Sequence, residues 1–355
     1  MRTGATEVGG STAALMAWCT LPLLLGALAL QARAGDFDWR TRGVLFRVEP
    51  PLAAIQQDIG RGGDPTRPAG ADPAGQAPPS GDGDAGDAVP SGQGDAYAPA
   101  SPRHSYVFAT IHYGDPDTLL LYLPRLRQRL SESRVLVNEV DLEEVWQPEY
   151  ETYRKLATGQ SLRRLIGDQA FAELQAQLPD TPPQALDTLK PWVAMSMLEF
   201  PFGAETRSID AMLQDWAGQA GMARVHLENL PDQLAALDCV PPTDYAKVLE
   251  QRLLSGWSFD LDAERTAGYY RERDLAAWLD DVDSMHGLTG AALAAEEEAR
   301  RCLISVRNER WLPVLDGLLR QGGHFVAVGA IHLTGDEGLL AQLSRRGFEI
   351  DVEPW

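Results

Sequence analysis

Apolar and polar positions change their period several times along the chain, and each change marks an element. Gly43-Val-Leu-Phe-Arg-Val48 reads as a short strand, and Ser105-Tyr-Val-Phe-Ala-Thr-Ile-His112 as a second, strongly apolar one. Leu119, Leu123, Leu126 and Leu130 then follow helical spacing behind Asp117 and Thr118, which can cap such a helix. Arg134 to Val140 is a strand bounded by polar residues, and 143–200 is helical, with Leu162, Leu165, Ile166 and Leu174 on one face. Ser208 caps a helix carrying Ile209, Met212, Leu213 and Trp216, Gly221 ends it, and Arg224 to Glu228 is a short strand. Positions 243–320 return to helical spacing, with Leu249, Leu253, Tyr269, Leu275, Trp278, Leu279, Leu303 and Trp311 as the expected core. His324 to His332 is a strand, Asp336 to Arg346 a helix and Phe348 to Val352 a last strand. Strands gather at both ends and helices fill the middle. The sheet must therefore be assembled from distant halves of the sequence, which predicts one α+β domain: a mixed central sheet with the helical region packed around it.

Two segments break this pattern. Residues 1–34 combine Arg2, an apolar run from Ala13 to Leu30 and the small-residue ending Ala32-Arg33-Ala34, the grammar of a secretory signal peptide cleaved between Ala34 and Gly35. An uncleaved anchor is the alternative. Pro22 interrupts the run and its length barely reaches the ~20 residues a span needs, so cleavage is favoured, with no stable membrane insertion afterwards. The mature domain is then 35–355, periplasmic or secreted. Within it lies the second anomaly, 60–103, where 33 of 44 residues are Gly, Pro, Asp or Ala. Such a stretch cannot bury enough surface to offset its ordering entropy, and it reads as a disordered insertion expanding a β-hairpin loop rather than as a linker.

Composition sharpens this picture. With 355 residues the chain can bury a sizeable core, and 51 acidic against 31 basic side chains give a formal charge of -20. That surface repels a phosphate backbone, so nucleic acid is excluded as a partner on electrostatic grounds. The insertion holds six Asp against three Arg, so most of the acidity belongs to the folded part, where it can concentrate divalent cations. Export also changes how Cys239 and Cys302 read. A disulfide between them is one reading and two buried thiols the other, and without Cys-x-x-Cys spacing they cannot build a structural zinc site.

The candidate chemistry is one local phrase used twice. Ala109-Thr-Ile-His112-Tyr-Gly114-Asp115 closes one strand and Gly329-Ala-Ile-His332-Leu-Thr-Gly335-Asp336 closes another. A histidine at the carboxyl end of a buried strand stands at the rim where α/β clefts form, and neutral imidazole is a common metal ligand. Glu139, near the end of its strand, is the carboxylate best placed to join them, since a buried carboxylate is costly unless paired or metal-bound. Hydrogen-bonded core histidines, and a Glu139 paired with buried Arg307, remain equally consistent with these residues alone. Glu228 reads as structural, and His104, His226, His286 and His324 as surface or core residues.

The same phrases resemble the TraB/GumN family, related to the Tiki metalloproteases and marked by paired Gly-x-x-His motifs. The resemblance covers about 43–59 and 104–353. It rests on Gly43 to Val48, Ala109 to His112, Val137-Asn-Glu139, Leu189-Lys-Pro-Trp192, Ser208-Ile-Asp210 and Leu227-Glu228. Val306-Arg307-Asn308-Glu-Arg-Trp311 and Val328 to Gly335 complete it, the last being the most specific. It implies a metal-dependent hydrolase or peptidase in which His112, His332 and Glu139 hold the metal, manganese or cobalt rather than zinc. Glu139, Arg307 and Asn308 would carry the chemistry on a peptide or small-molecule substrate. A non-catalytic protein that binds a peptide or polysaccharide-related ligand in the same cleft is the alternative. Ala109 stands where the first motif has Gly, which is sterically tolerable but excludes a left-handed backbone there.

Overall fold

The computed structural model describes residues 37–51, 103–111, 116–199 and 208–354. Six apolar segments pair into one sheet: β1 (Leu45–Glu49), β2 (Ser105–Thr110), β3 (Val135–Asn138), β4 (Ala223–His226), β5 (His324–Gly329) and β6 (Glu349–Val352). Their spatial order is β4-β3-β5-β2-β1-β6. The first four in that order run parallel, whereas β1 is antiparallel to both β2 and β6. β2 and β5 lie side by side and are buried along their whole length, which is why they read as continuous apolar runs without alternation. Val48 pairs with Ser105, so the long intervening segment leaves and re-enters the sheet at neighbouring positions, as expected of an expanded hairpin loop. The expected signal peptide, 1–34, and residues 60–102 of the expected insertion lie outside the described residues.

The helices follow in chain order: α1 (Leu123–Ser131), α2 (Glu151–Arg154), α3 (Leu162–Gln177), α4 (Pro183–Leu186), α5 (Pro191–Glu199), α6 (Ile209–Gln219) and α7 (Leu230–Leu237). After these come α8 (Pro242–Leu254), α9 (Phe259–Arg271), α10 (Leu275–Asp283), α11 (Gly290–Arg300), α12 (Arg307–Gln321), α13 (Ala330–Leu333) and α14 (Leu339–Arg345). Ser208 caps α6 as expected, its hydroxyl accepting from the Ala211 N–H at 3.2 Å. β2, β3 and β4 end two residues before their expected bounds and the last helix begins at Leu339 and not Asp336, but two differences are larger or touch the site. α1 starts at Leu123 and not behind Asp117, because Pro124 suits a helix's first turn and Leu120 takes a left-handed backbone (φ 53°). The last long strand stops at Gly329, and His332 sits on the single helical turn α13 instead of on the strand. Between α11 and α12 the helix continues through a π-helical stretch, Arg301–Val306. Cys239, just beyond α7, is disulfide-bonded to Cys302 in that stretch, which resolves the two cysteine readings.

Gly35–Trp355 form one compact unit, as distinct from Met1–Ala34. It holds two apolar cores. One clothes the sheet with Phe108, Phe325, Trp311, Leu315 and Leu340, and the other lies within the helical region around Leu162, Phe171, Leu249 and Phe259. Among the described residues no helix is long and apolar enough to cross a membrane.

Candidate functional site

The four parallel strands end along one edge of the sheet, and the predicted site residues are delivered there. Glu139 follows β3 directly. The pairing of β3 with β4 continues past both strands, with the Leu227 N–H donating to the Asn138 carbonyl and the Glu228 N–H to the Glu139 carbonyl, both at 2.9 Å. That continuation sets Glu139 and Glu228 beside each other. On the other flank the Gly329 N–H donates to Glu139 Oε1 at 2.7 Å. Arg307 and Asn308 stand where the π-helical stretch passes into α12, and both are buried. His112 lies outside the described residues, so the described part of the site is Glu139, Glu228, Arg307, Asn308 and His332.

Arg307 is the hub of this cluster, with only 5% of its surface exposed. Nη2 donates to Glu139 Oε2 at 2.5 Å and to Glu228 Oε1 at 2.7 Å, and Nε donates to Glu228 Oε1 at 3.0 Å. Nη1 reaches the Leu303 carbonyl at 3.3 Å and His332 Nε2 at 3.2 Å. The guanidinium lies over the Trp311 ring, 4.4 Å from its centroid, and the His332 ring packs against the same indole at 4.6 Å. Burial works against the charge on Arg307, but Glu139 and Glu228 hold its pKa above the ordinary value. Burial likewise pushes the Glu228 carboxyl up, while Arg307 pulls the other way. Donation from two guanidinium nitrogens onto Glu228 makes the ionised pair the state the geometry supports.

The tautomer of His332 follows from its partners. Arginine can only donate, so Nε2, facing Arg307, must present its lone pair. Asn308 Nδ2 donates to the His332 carbonyl at 3.1 Å, which turns Asn308 Oδ1 toward the ring, 2.8 Å from Nδ1. Nδ1 therefore carries the proton. Such an outer hydrogen bond is what holds a metal-ligating histidine in its ligating form. His332 Nε2 and Glu139 Oε1 stand 4.0 Å apart. An imidazole and a carboxylate suit a borderline divalent metal by type, and they would act as two of its protein ligands only after Arg307 Nη1 leaves His332 Nε2 and the two groups draw closer than 4.0 Å. Among the described residues, the group of three ligand-type atoms within 4.8 Å of one another is elsewhere, at Asp262, Asp281 and His286. There Arg265 bridges both carboxylates at 2.6 and 3.0 Å, as Arg307 bridges Glu139 and Glu228.

Glu139, Arg307 and His332 line a pocket of about 590 Å³, with Glu228 and Asn308 set behind them. Trp146, Trp192, Met195, Leu234, Leu303 and Ile304 supply apolar walls, with Arg154, Glu199, Asp210 and Tyr245 as polar accents. Leu303, expected in the core, faces this pocket. The Gly-to-Ala departure in the first motif has no conformational consequence. Ala109 lies in regular β2, and Gly329 at the matching place in the second motif has φ −52°. The sequence reading missed Glu228 as a member of the cluster and Trp311 as its floor. Both lie within the Leu227-Glu228 and Val306 to Trp311 phrases, which were the available signal. Of the histidines set aside, His226 bonds Asn138 at 2.7 Å and His324 is buried at the start of β5.

A family model described as the TraB/PrgY/gumN family matches residues 99–352, which takes in every residue of this cluster. No curated protein and no solved structure matches the chain.

Proposed function

We propose that this chain, which belongs to the TraB/PrgY/gumN family, is an exported metal-dependent hydrolase acting on peptide bonds. The observation that carries the reading is the fixed tautomer of His332, whose Nε2 lone pair accepts from Arg307 and lies 4.0 Å from Glu139 Oε1. His332 and Glu139, with His112, would hold the ion, manganese or cobalt in preference to zinc. A divalent metal at such a site lowers the pKa of bound water and polarises a substrate carbonyl. The chain's own residues have separate tasks. Asn308 keeps the proton on His332 Nδ1. Arg307 neutralises two neighbouring buried carboxylates and, with its five N–H donors engaged by Glu139, Glu228, Leu303 and His332, orients the cluster in place of binding substrate itself. Glu139, gripped by Gly329 N–H and Arg307, serves as ligand or as general base. The Cys239–Cys302 disulfide accords with an oxidising compartment, and with the leader-like residues 1–34 it supports export.

A second reading, ligand capture without chemistry, is favoured by one contact. Arg307 Nη1 already lies 3.2 Å from the nitrogen a metal would use. The discriminating experiment is cleavage of a peptide library by the purified chain with manganese, cobalt or zinc added, against a chelator control and Glu139→Gln. Products that need the metal and vanish in the variant support the hydrolase. Retained peptides with no product under any metal support capture.

A further inference from the structure

Beyond the catalytic pocket, a second cavity of about 510 Å³ lies against the same elements. The two share Ile304 and Ile331 in their linings. Along the π-helical stretch Leu303 faces the first cavity, Ile304 both, and Ser305 the second. After β5 the order repeats: Gly329 and His332 face the first, Ile331 both, and Thr334 the second. The divider is therefore two isoleucine side chains, and one of them is the immediate neighbour of His332.

The second cavity differs in chemistry from the apolar first. Asp283, Glu297, Asp336 and Glu337 line it against Arg300 and Arg301. Both cations are committed, Arg300 to Asp283 and Arg301 to Glu298 at 2.6 and 2.8 Å, while Asp336 accepts from the neutral Trp39 Nε1–H at 2.8 Å. Arg345 stands beside Glu337 at 4.0 Å and donates to the Asp336 carbonyl at 2.7 Å, so the residual negative field comes from Glu297 and Asp336. Thr334 adds a polar group in want of a partner: the residue is 6% exposed, and its hydroxyl has no hydrogen-bond partner among the described residues.

We infer that the substrate of the proposed hydrolase is an extended chain that crosses the Ile304–Ile331 divider, apolar in the first cavity and cationic in the second, so that the site acts within a chain and not at its end. This rests on the hydrolase reading for the cleavage itself, but not for the binding. The test uses fluorescently labelled peptides of about ten residues, blocked at both ends, that join an apolar half to a lysine-bearing or a glutamate-bearing half in either order. Kd is measured by anisotropy on the full chain. The lysine peptide is expected to bind at least about tenfold tighter than either half alone and than its glutamate counterpart. The double variant Glu297→Lys, Glu337→Lys is expected to abolish or invert that charge preference. The apolar half binding as tightly as the whole peptide, no measurable binding of the long peptide, or an unchanged preference in the double variant would each overturn the inference. If binding follows the expectation and no peptide is cut, the hydrolase reading fails and this one stands. If the same peptides are cut only when their ends are left unblocked, the reverse holds.

Discussion

Replacing Arg307 by alanine would leave Glu139 and Glu228 buried side by side without the guanidinium that touches both. Breaking a buried ion pair by removing one partner typically costs about 3–5 kcal/mol, because the remaining charge stays desolvated. Arg307→Ala is expected to lose stability of that order in urea unfolding, and Arg307→Lys part of it, since one ammonium cannot reproduce the fork that serves both carboxylates and His332. A loss below about 1 kcal/mol, the size of a surface pair, would contradict the ionised triad. At this scale the sequence was informative where a residue type was improbable in its surroundings. Glu139 within an apolar strand and His332 beside a Gly turn stood out, and Arg307 and Asn308 entered through the family resemblance. Glu228 did not stand out, because a glutamate at a strand end is ordinary until its partner, 79 positions away, is known. Trp311 was read as core, and it is fully buried, yet its ring carries Arg307 on it and His332 against it.

At the scale of elements, the wall bearing Leu303, Ile304 and Arg307 is a π-helical turn running into α12, and the disulfide anchors it to the end of α7. π-helical turns occur frequently at functional sites, where the extra residue re-aims a side chain. Here the anchored partner, α7, brings Leu234 and Leu237 to the opposite wall of the same pocket. The bridge closes a loop of 63 residues, and removing a native disulfide typically costs about 2–5 kcal/mol. Cys302→Ser is therefore expected to lower the urea midpoint and to weaken peptide binding, with reductant producing both effects in the parent chain and neither in the variant. Equal peptide affinity in oxidised and reduced protein would show that the tether does not shape the pocket. Element existence was legible from periodicity, and cap residues such as Ser208 from chemistry. What the pattern could not show was the break after Gly329, since Ala-Ile-His-Leu is as apolar as the strand before it. The π turn was equally invisible, because its composition is that of any helix.

For the whole molecule, the decisive feature was the distribution of strands to the two ends of the chain. It correctly required a sheet built from distant segments, with β5 inserted between β2 and β3. The order of strands within the sheet was not readable, because neighbours far apart in sequence are chosen by packing and crossover geometry. The register of β1 with β2 has a direct consequence. Since Val48 faces Ser105, a short turn can replace residues 52–102, and long loops add little closure entropy beyond short ones. That deletion is expected to leave the thermal midpoint within a few degrees, whereas a large drop would mean that the segment packs on the domain.

Metal content decides whether the cluster at the strand ends holds an ion, as the proposed function requires. Elemental analysis of the purified chain should be run beside His332→Ala and Asn308→Ala, with circular dichroism to show that each is folded. The proposed function predicts about one manganese or cobalt per chain in the parent. His332→Ala should carry none, and affinity should fall some 10–100-fold in Asn308→Ala, where the ring loses the bond that fixes its tautomer. A folded parent that takes up no divalent metal, or a His332→Ala variant that keeps it, would contradict the proposed function.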